Sequence, residues 1–168
     1  PPKLHGIEGV SPRIVTADFD GNGTADLLLA TDRAAMVPGL QLLLNDGTGR
    51  LREANAQLNV TYTRADRWVV LPQAVDFNRD GRPDLVLRVN SGNNAPVNSS
   101  RCLLINRGNA VFVDVSEVFR ANTTTGMSVG DFNGDGMNDL LTLYDDKVIV
   151  HRATKPIDLA LFADVAPV

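Results

Sequence analysis

Short apolar runs alternate with clusters of Asn, Asp and Gly along the chain, and their order repeats three times. In the first unit Arg13 to Ala17 runs into a polar loop, and Asp26 to Ala30 follows it. Leu40 to Leu44 is a third run, Asn45 to Gly49 a Gly-rich turn, and Leu51 to Ala54 a short fourth run. Runs of this length between turn-forming residues predict strands joined by hairpins. The second unit repeats the order. Trp68 to Leu71 and Ala74-Val75 precede its loop, and Leu85 to Val89 follows. After the polar stretch Asn90 to Ser100 come Cys102 to Ile105, the turn Asn106 to Asn109, and Val111 to Val115. The third unit is compact: Met127 to Val129, Leu140 to Tyr144, Val148 to Val150 and Leu159 to Phe162. Leu51 to Leu58 and Val115 to Ala121 can each make one helical turn, but neither sustains a helical period.

The loops themselves are one motif. D-x-[DN]-x-[DN]-G-x-x-D reads DFDGNGTAD at 18–26, DFNRDGRPD at 76–84 and DFNGDGMND at 131–139. Self-similarity at such a period marks an array or propeller. Four short strands per unit predict an all-β fold of β-propeller blades, three four-stranded antiparallel repeats, each needing neighbours to cover its faces. The division that follows is a lead-in at 1–12 and blades at 13–67, 68–122 and 123–168. Propellers have roughly four to eight blades, so three form a segment of a larger propeller. The remaining blades come from the same or another chain, and the start at Pro1-Pro2 fits a piece of something longer.

The motif is built for a hard divalent cation. Ca²⁺ takes oxygens from carboxylates, amides and backbone carbonyls. Alternate positions 1, 3 and 5 supply short oxygen side chains: Asp18, Asp20 and Asn22; Asp76, Asn78 and Asp80; Asp131, Asn133 and Asp135. Position 6 is Gly, which turns sharply without steric penalty. Position 7 varies in side chain (Thr24, Arg82, Met137), as expected where only the carbonyl is used. Position 9 is again Asp: Asp26, Asp84 and Asp139. Carboxylates gathered this closely repel by about 2–4 kcal/mol per pair at an effective dielectric of ~20, so the expectation is three Ca²⁺ sites. An EF-hand is excluded: position 12 is Leu29, Leu87 and Thr142 where a Glu is required, and the flanks are strands.

Charge distribution sharpens this. The net charge is −4, but nine of the 20 acids lie in the loops. The 16 Lys and Arg are scattered, which argues against nucleic acid. No apolar run is long enough to cross a bilayer. The single Cys102 gives no disulfide framework within this sequence; in its apolar stretch it reads as a small buried hydrophobe, with a disulfide to another segment or a reactive thiol as the alternatives. His5 and His151 are isolated, without a recognisable nucleophile, so no hydrolytic triad is read and the chain is not an enzyme. Trp68 fills a core position or, alternatively, offers a sugar-stacking platform. Sequons stand at Asn22, Asn59, Asn98 and Asn122; Asn22 is a proposed ligand, and Asn98 in the long polar loop is the best acceptor.

Val129 to Leu141, VGDFNGDGMNDLL, resembles the FG-GAP repeat of integrin α-subunit propellers. VDFNRDGRPDLVL, and ADFDGNGTADLLL followed by LLLNDGTGRL, resemble the related VCBS repeats. The resemblance runs from about Ile14 to Val165. It implies a propeller with Ca²⁺ in the loop between the first two strands of several blades, in a secreted or surface-exposed protein of adhesion and recognition. No Gly-Ala-Pro follows strand two, where the residues read ATD, RVN and YDD, which separates the chain from integrins proper. The expected function is therefore a non-catalytic, calcium-binding segment recognising a protein at the cell surface through loops such as Ser91 to Ser100. A lectin-like propeller binding glycans, or an accessory domain of a secreted enzyme, are the alternatives.

Overall fold

The computed structural model describes residues 12–30, 40–58, 67–91, 100–115, 126–143 and 147–153. Among the described residues, eleven strands form three antiparallel sheets in series. The first holds β1 (Arg13–Ala17), β2 (Asp26–Ala30), β3 (Leu40–Asn45) and β4 (Leu51–Glu53) in sequence order. The second holds β5 (Arg67–Val75), β6 (Asp84–Ser91), β7 (Ser100–Asn106) and β8 (Phe112–Asp114), again in order. The third holds β9 (Gly126–Gly130), β10 (Asp139–Leu143) and β11 (Val148–His151), with β10 central. The fold is all-β, in blade-like meanders that do not close into a ring. The expected strand at Leu159 to Phe162 and residues 92–99, Asn98 among them, lie outside the described residues, whereas Asn90, Ser91 and Ser100, expected in the polar connection, belong to β6 and β7.

Two differences from the sequence expectation have physical causes. Trp68 to Leu71 and Ala74-Val75 join into one strand through Pro72, which pairs with Leu87 beyond a bulge between Val69 and Leu71. A proline lacks the N–H of an inner ladder, but β5 is an edge strand and has a free side. The helical tendency of Leu51 to Leu58 survives as a single 3₁₀ turn, Asn55–Leu58. It drops Leu58 into the core, and the Asn55 side chain accepts the Leu42 N–H at 2.8 Å.

The middle sheet shows why blades stack. Successive side chains on a strand point to opposite faces. Leu85, Leu87, Cys102, Leu104 and Phe112 therefore share one face and pack with Leu28, Leu42 and Leu44 of the first sheet. Val86, Leu103 and Ile105 share the other and pack with Met127 and Leu140 of the third. Both faces are buried, so β6 and β7 read as continuous apolar runs in the sequence.

The second loop position is Phe in every repeat, and its surroundings change along the series. Phe19 is 1% exposed and packs edge-on against Phe112 of the next blade, ring centroids 5.8 Å apart. Phe77 is 8% exposed and joins the cluster between the second and third blades. Phe132 is 47% exposed. With it, Leu143, Val148 and Val150 lie bare on the third sheet.

Candidate metal centre

All three loops sit at the same end of their blades, between the first two strands of each sheet. Gly at position 6 takes φ of 85°, 85° and 89° at Gly23, Gly81 and Gly136. These are left-handed values that a side chain resists. The sharp bend folds each loop over its own side chains. Asp18 accepts N–H bonds from Gly21 at 2.8 Å, Asn22 at 3.0 Å and Gly23 at 2.8 Å. Asp76 accepts from Asp80 and Gly81, both at 3.0 Å. Asp131 accepts from Gly134 at 2.7 Å and Gly136 at 2.9 Å. The Gly136 N–H, foremost among these donors, holds the Asp131 carboxyl below the usual carboxylate range.

Position 9 has a second role that the sequence reading does not anticipate. Asp26, Asp84 and Asp139 are fully buried. One oxygen of Asp26 accepts the N–H of Phe19 at 2.8 Å and of Asp20 at 3.4 Å, and the other accepts Asn45 N–H at 2.7 Å. Asp84 does the same with Phe77 at 2.8 Å, Asn78 at 3.4 Å and Asn106 at 2.8 Å. Asp139 takes Phe132 at 3.2 Å and Ala153 at 2.9 Å. Asp26 and Asp84 are internal clasps joining the loop's start to the last residue of the third strand, and Asp139 joins it to Ala153, just beyond β11. Burial pushes Asp26 up, and pushes Asp84 up to about 6, against the opposing pull of these N–H donors.

A signal for this role is present in the sequence. Position 9 opens a strand, and Asp26 shares a strand face with Leu28 and Ala30, both core residues. Asn45 and Asn106, each opening an N-x-G turn, are further members of the site. Asn106 donates through its side chain to Phe19 C=O at 2.8 Å and Pro83 C=O at 3.1 Å, tying the second blade to the first loop.

The loops differ in how far their acids converge. Oxygens of Asp18, Asp20 and Asp26 all lie within 4.8 Å of one another, the one such group among the described residues. The expectation of three equal carboxylate clusters is thus met at the first loop only. In the second loop Asp80 is drawn aside, accepting from the Asn78 side chain at 2.9 Å and the Arg82 guanidinium at 2.6 Å. In the third, the Asn133 side chain donates to Asp135 at 2.8 Å. In the first loop position 5 is Asn22, whose Nδ2 turns away to Asn45 C=O at 2.7 Å. Thr24 at position 7 directs its hydroxyl to the same carbonyl at 3.0 Å. Met137 donates its N–H to Asp135 at 2.8 Å, and Arg82 donates its own to Asp80 at 2.9 Å. Carboxylates this close, with hard oxygen donors alone, fit a divalent cation such as Ca²⁺. Asp18, Asp20 and Asp26 would hold it.

Beside the first loop lies a cleft of about 190 Å³, bounded across the blade junction by Arg82, Pro83, Gly108 and Asn109. Two other residues singled out by sequence, Cys102 and His151, lie away from these loops. Cys102 is buried in the core between the first two blades. His151 pairs through Nε2 with Thr142 Oγ1 at 2.9 Å. Trp68 lies on β5 with its side chain outside the described residues. His5, Asn59, Asn98 and Asn122 are also outside them.

Stacked meanders of three or four strands with a shared loop motif are the blades of a propeller-like repeat fold. Residues 18–87, from the first loop to the strand beyond the second, match the family model for the FG-GAP-like repeat, and this segment carries that repeat. No curated protein and no solved structure matches the chain. No helix among the described residues is long and apolar enough to cross a membrane.

Proposed function

We propose that the chain is a calcium-tied recognition module: non-catalytic blades of a larger propeller in a secreted or cell-surface protein, presenting their loop rim to a protein partner. The observation that carries this reading is the convergence of Asp18, Asp20 and Asp26 within 4.8 Å in a loop inside the matched repeat. A bound Ca²⁺ supplies positive charge that cancels their repulsion. The chain's own part is to prearrange the donors through the Gly23 bend and the Asp26 clasp. Sites of this type outside the cytosol commonly have Kd of ~10⁻⁴–10⁻³ M, which suits an extracellular setting. The bare Phe132, Leu143, Val148 and Val150 support a further blade beyond the third, because the equivalent Phe19 and Phe77 are covered by the next blade.

The test is thermal unfolding of the protein in millimolar CaCl₂ and in EDTA. The Tm is expected to rise with calcium concentration, since a ligand of the folded state stabilises it by RT ln(1 + [L]/Kd). Identical melts in both solutions would remove calcium from the reading.

A further inference from the structure

We infer that guanidinium groups built into the second and third loops stand in for part of a cation's charge, which makes the first loop the tightest divalent-cation site. This rests on the calcium reading above and adds a ranking of the three loops to it.

In the second loop Arg82 is doubly held. Its Nε donates to Asn106 C=O at 3.2 Å and its terminal nitrogen to Asp80 at 2.6 Å. Asp80 is the position-5 donor, so a cation entering this loop meets a fixed positive charge on one of its own ligands. The equivalent residue in the first loop is Thr24, which carries no charge.

The third loop receives its guanidinium from outside. Arg79 belongs to the second loop, at position 4, where the first and third loops have Gly21 and Gly134. Those glycines have φ of 80° and 76°, and Arg79 is held at 62°, a conformation a side chain adopts reluctantly. From there it reaches the next blade. One terminal nitrogen is 3.9 Å from Asp131, and the other lies 3.4 Å from where a Cβ on Gly136 would stand. The Asn138 side chain donates to Asp76 C=O at 2.6 Å, which holds the two loops side by side and keeps Arg79 within reach.

Among the described residues no ion pair falls on the acids of the first loop; Arg82 lines the cleft beside Asp18 and Asp20 but gives its guanidinium to Asp80. The ion pairs of the described residues around these motifs fall on Asp80 and Asp131. In Asp20, Oδ1 accepts Asn22 N–H at 3.1 Å, and Oδ2 has no donor among the described residues. A guanidinium held on one of a divalent ion's ligands repels that ion, and even in a high dielectric the repulsion between such neighbouring charges is enough for roughly a tenfold difference in affinity.

The position-6 glycines provide one reporter per loop. In a ¹⁵N–¹H titration of the full chain with CaCl₂, the Gly23 amide is expected to reach its midpoint at about tenfold lower calcium than Gly81 or Gly136. Arg82→Met should move the Gly81 midpoint down, and Arg79→Gly should move the Gly136 midpoint down, with Gly23 unmoved in both. Arg79→Gly restores the residue the other two loops use, so it keeps the test open if Arg82→Met fails to fold. Three coincident midpoints that stay coincident in the variants overturn the ranking and leave the calcium reading standing. No shift of any of the three amides at millimolar calcium overturns both.

Discussion

Asp76 and Asp84 bracket the same loop, yet one stands at its rim and the other is sealed inside the blade. Asp76 accepts N–H bonds from the loop's own bend. Asp84 is fully buried and reaches out of the loop to the far end of β7. The first and third loops show the same division, with Asp18 and Asp131 outside and Asp26 and Asp139 inside. The outer acids shape a place where charge can be received. The inner acids hold that place to the sheet, so stability and cation binding are separable at adjacent residues.

The largest expected effect follows from removing an inner acid. Asp84→Ala strands the N–H groups of Phe77 and Asn106 in the interior, at about 1–3 kcal/mol for each unsatisfied donor. Urea unfolding in EDTA should show a loss of roughly 3–5 kcal/mol. Asp76→Ala should lose about 1 kcal/mol or less, because water replaces its acceptor at the exposed bend. Equal losses would erase the distinction between inner and outer acids.

The next effect needs calcium. At a concentration a hundredfold above Kd, the gain at one site is about 2.7 kcal/mol. Asp18→Asn should leave the EDTA midpoint nearly unchanged and remove the first loop's share of this gain. Asp26→Asn should lower stability in both solutions, since it is both clasp and cluster member. A calcium response that survives Asp18→Asn intact would place the ion away from the first loop.

Much of this architecture is legible in the sequence, and the gaps are instructive. The apolar run Leu85, Val86 and Leu87, and the Gly at position 6, determine strands and bends locally, so they can be read without the rest of the chain. The unequal loops cannot be read so easily. Whether Asp80 faces a cation or Arg82 depends on Asn106 C=O, which anchors the guanidinium from another strand. Arg79 acting on Asp131 joins residues that only blade stacking brings together. The inner role of Asp26 was readable, since Leu28 and Ala30 mark its strand face as the buried one. The similarity of every Asp in the motif conceals it. Phe132, like Phe19 in sequence and unlike it in burial, shows that position in a series is not a property of one repeat.

Acid titration separates Asp26 and Asp84 from Asp131 by sign. Burial raises Asp84 from 3.8 to about 6, so its ionised form is disfavoured in the folded protein. As pH falls through 6 toward 3.8, the folded state takes up a proton that the unfolded state does not, and stability rises, by something of order 2 kcal/mol. Asp26 shifts in the same direction. Asp131 is lowered, so its stabilising contribution is present above its unfolded value and is lost only as pH falls below that range. Chemical unfolding in EDTA between pH 7 and pH 5 should therefore show a gain, and Asp84→Asn should flatten it. A wild-type profile that declines over this interval would mean that Asp84 takes up no proton there in the folded protein.

The smallest effect concerns which atom at position 7 serves the cation. Thr24 uses its hydroxyl on Asn45 C=O and its N–H on Asn22 Oδ1 at 2.8 Å, which leaves the backbone carbonyl as its contribution to a bound ion. Residues as different as Thr24, Arg82 and Met137 at this position agree with a carbonyl donor. Thr24→Ala keeps that carbonyl and deletes the hydroxyl's contacts with Asn22 Oδ1 and Asn45 C=O, for a loss of about 0.5–1 kcal/mol in EDTA. The calcium-dependent rise in Tm should match wild type. If the rise disappears while the EDTA midpoint barely moves, the hydroxyl is the donor. Position 7 would then belong with the outer side chains, and Arg82 and Met137 could not replace it.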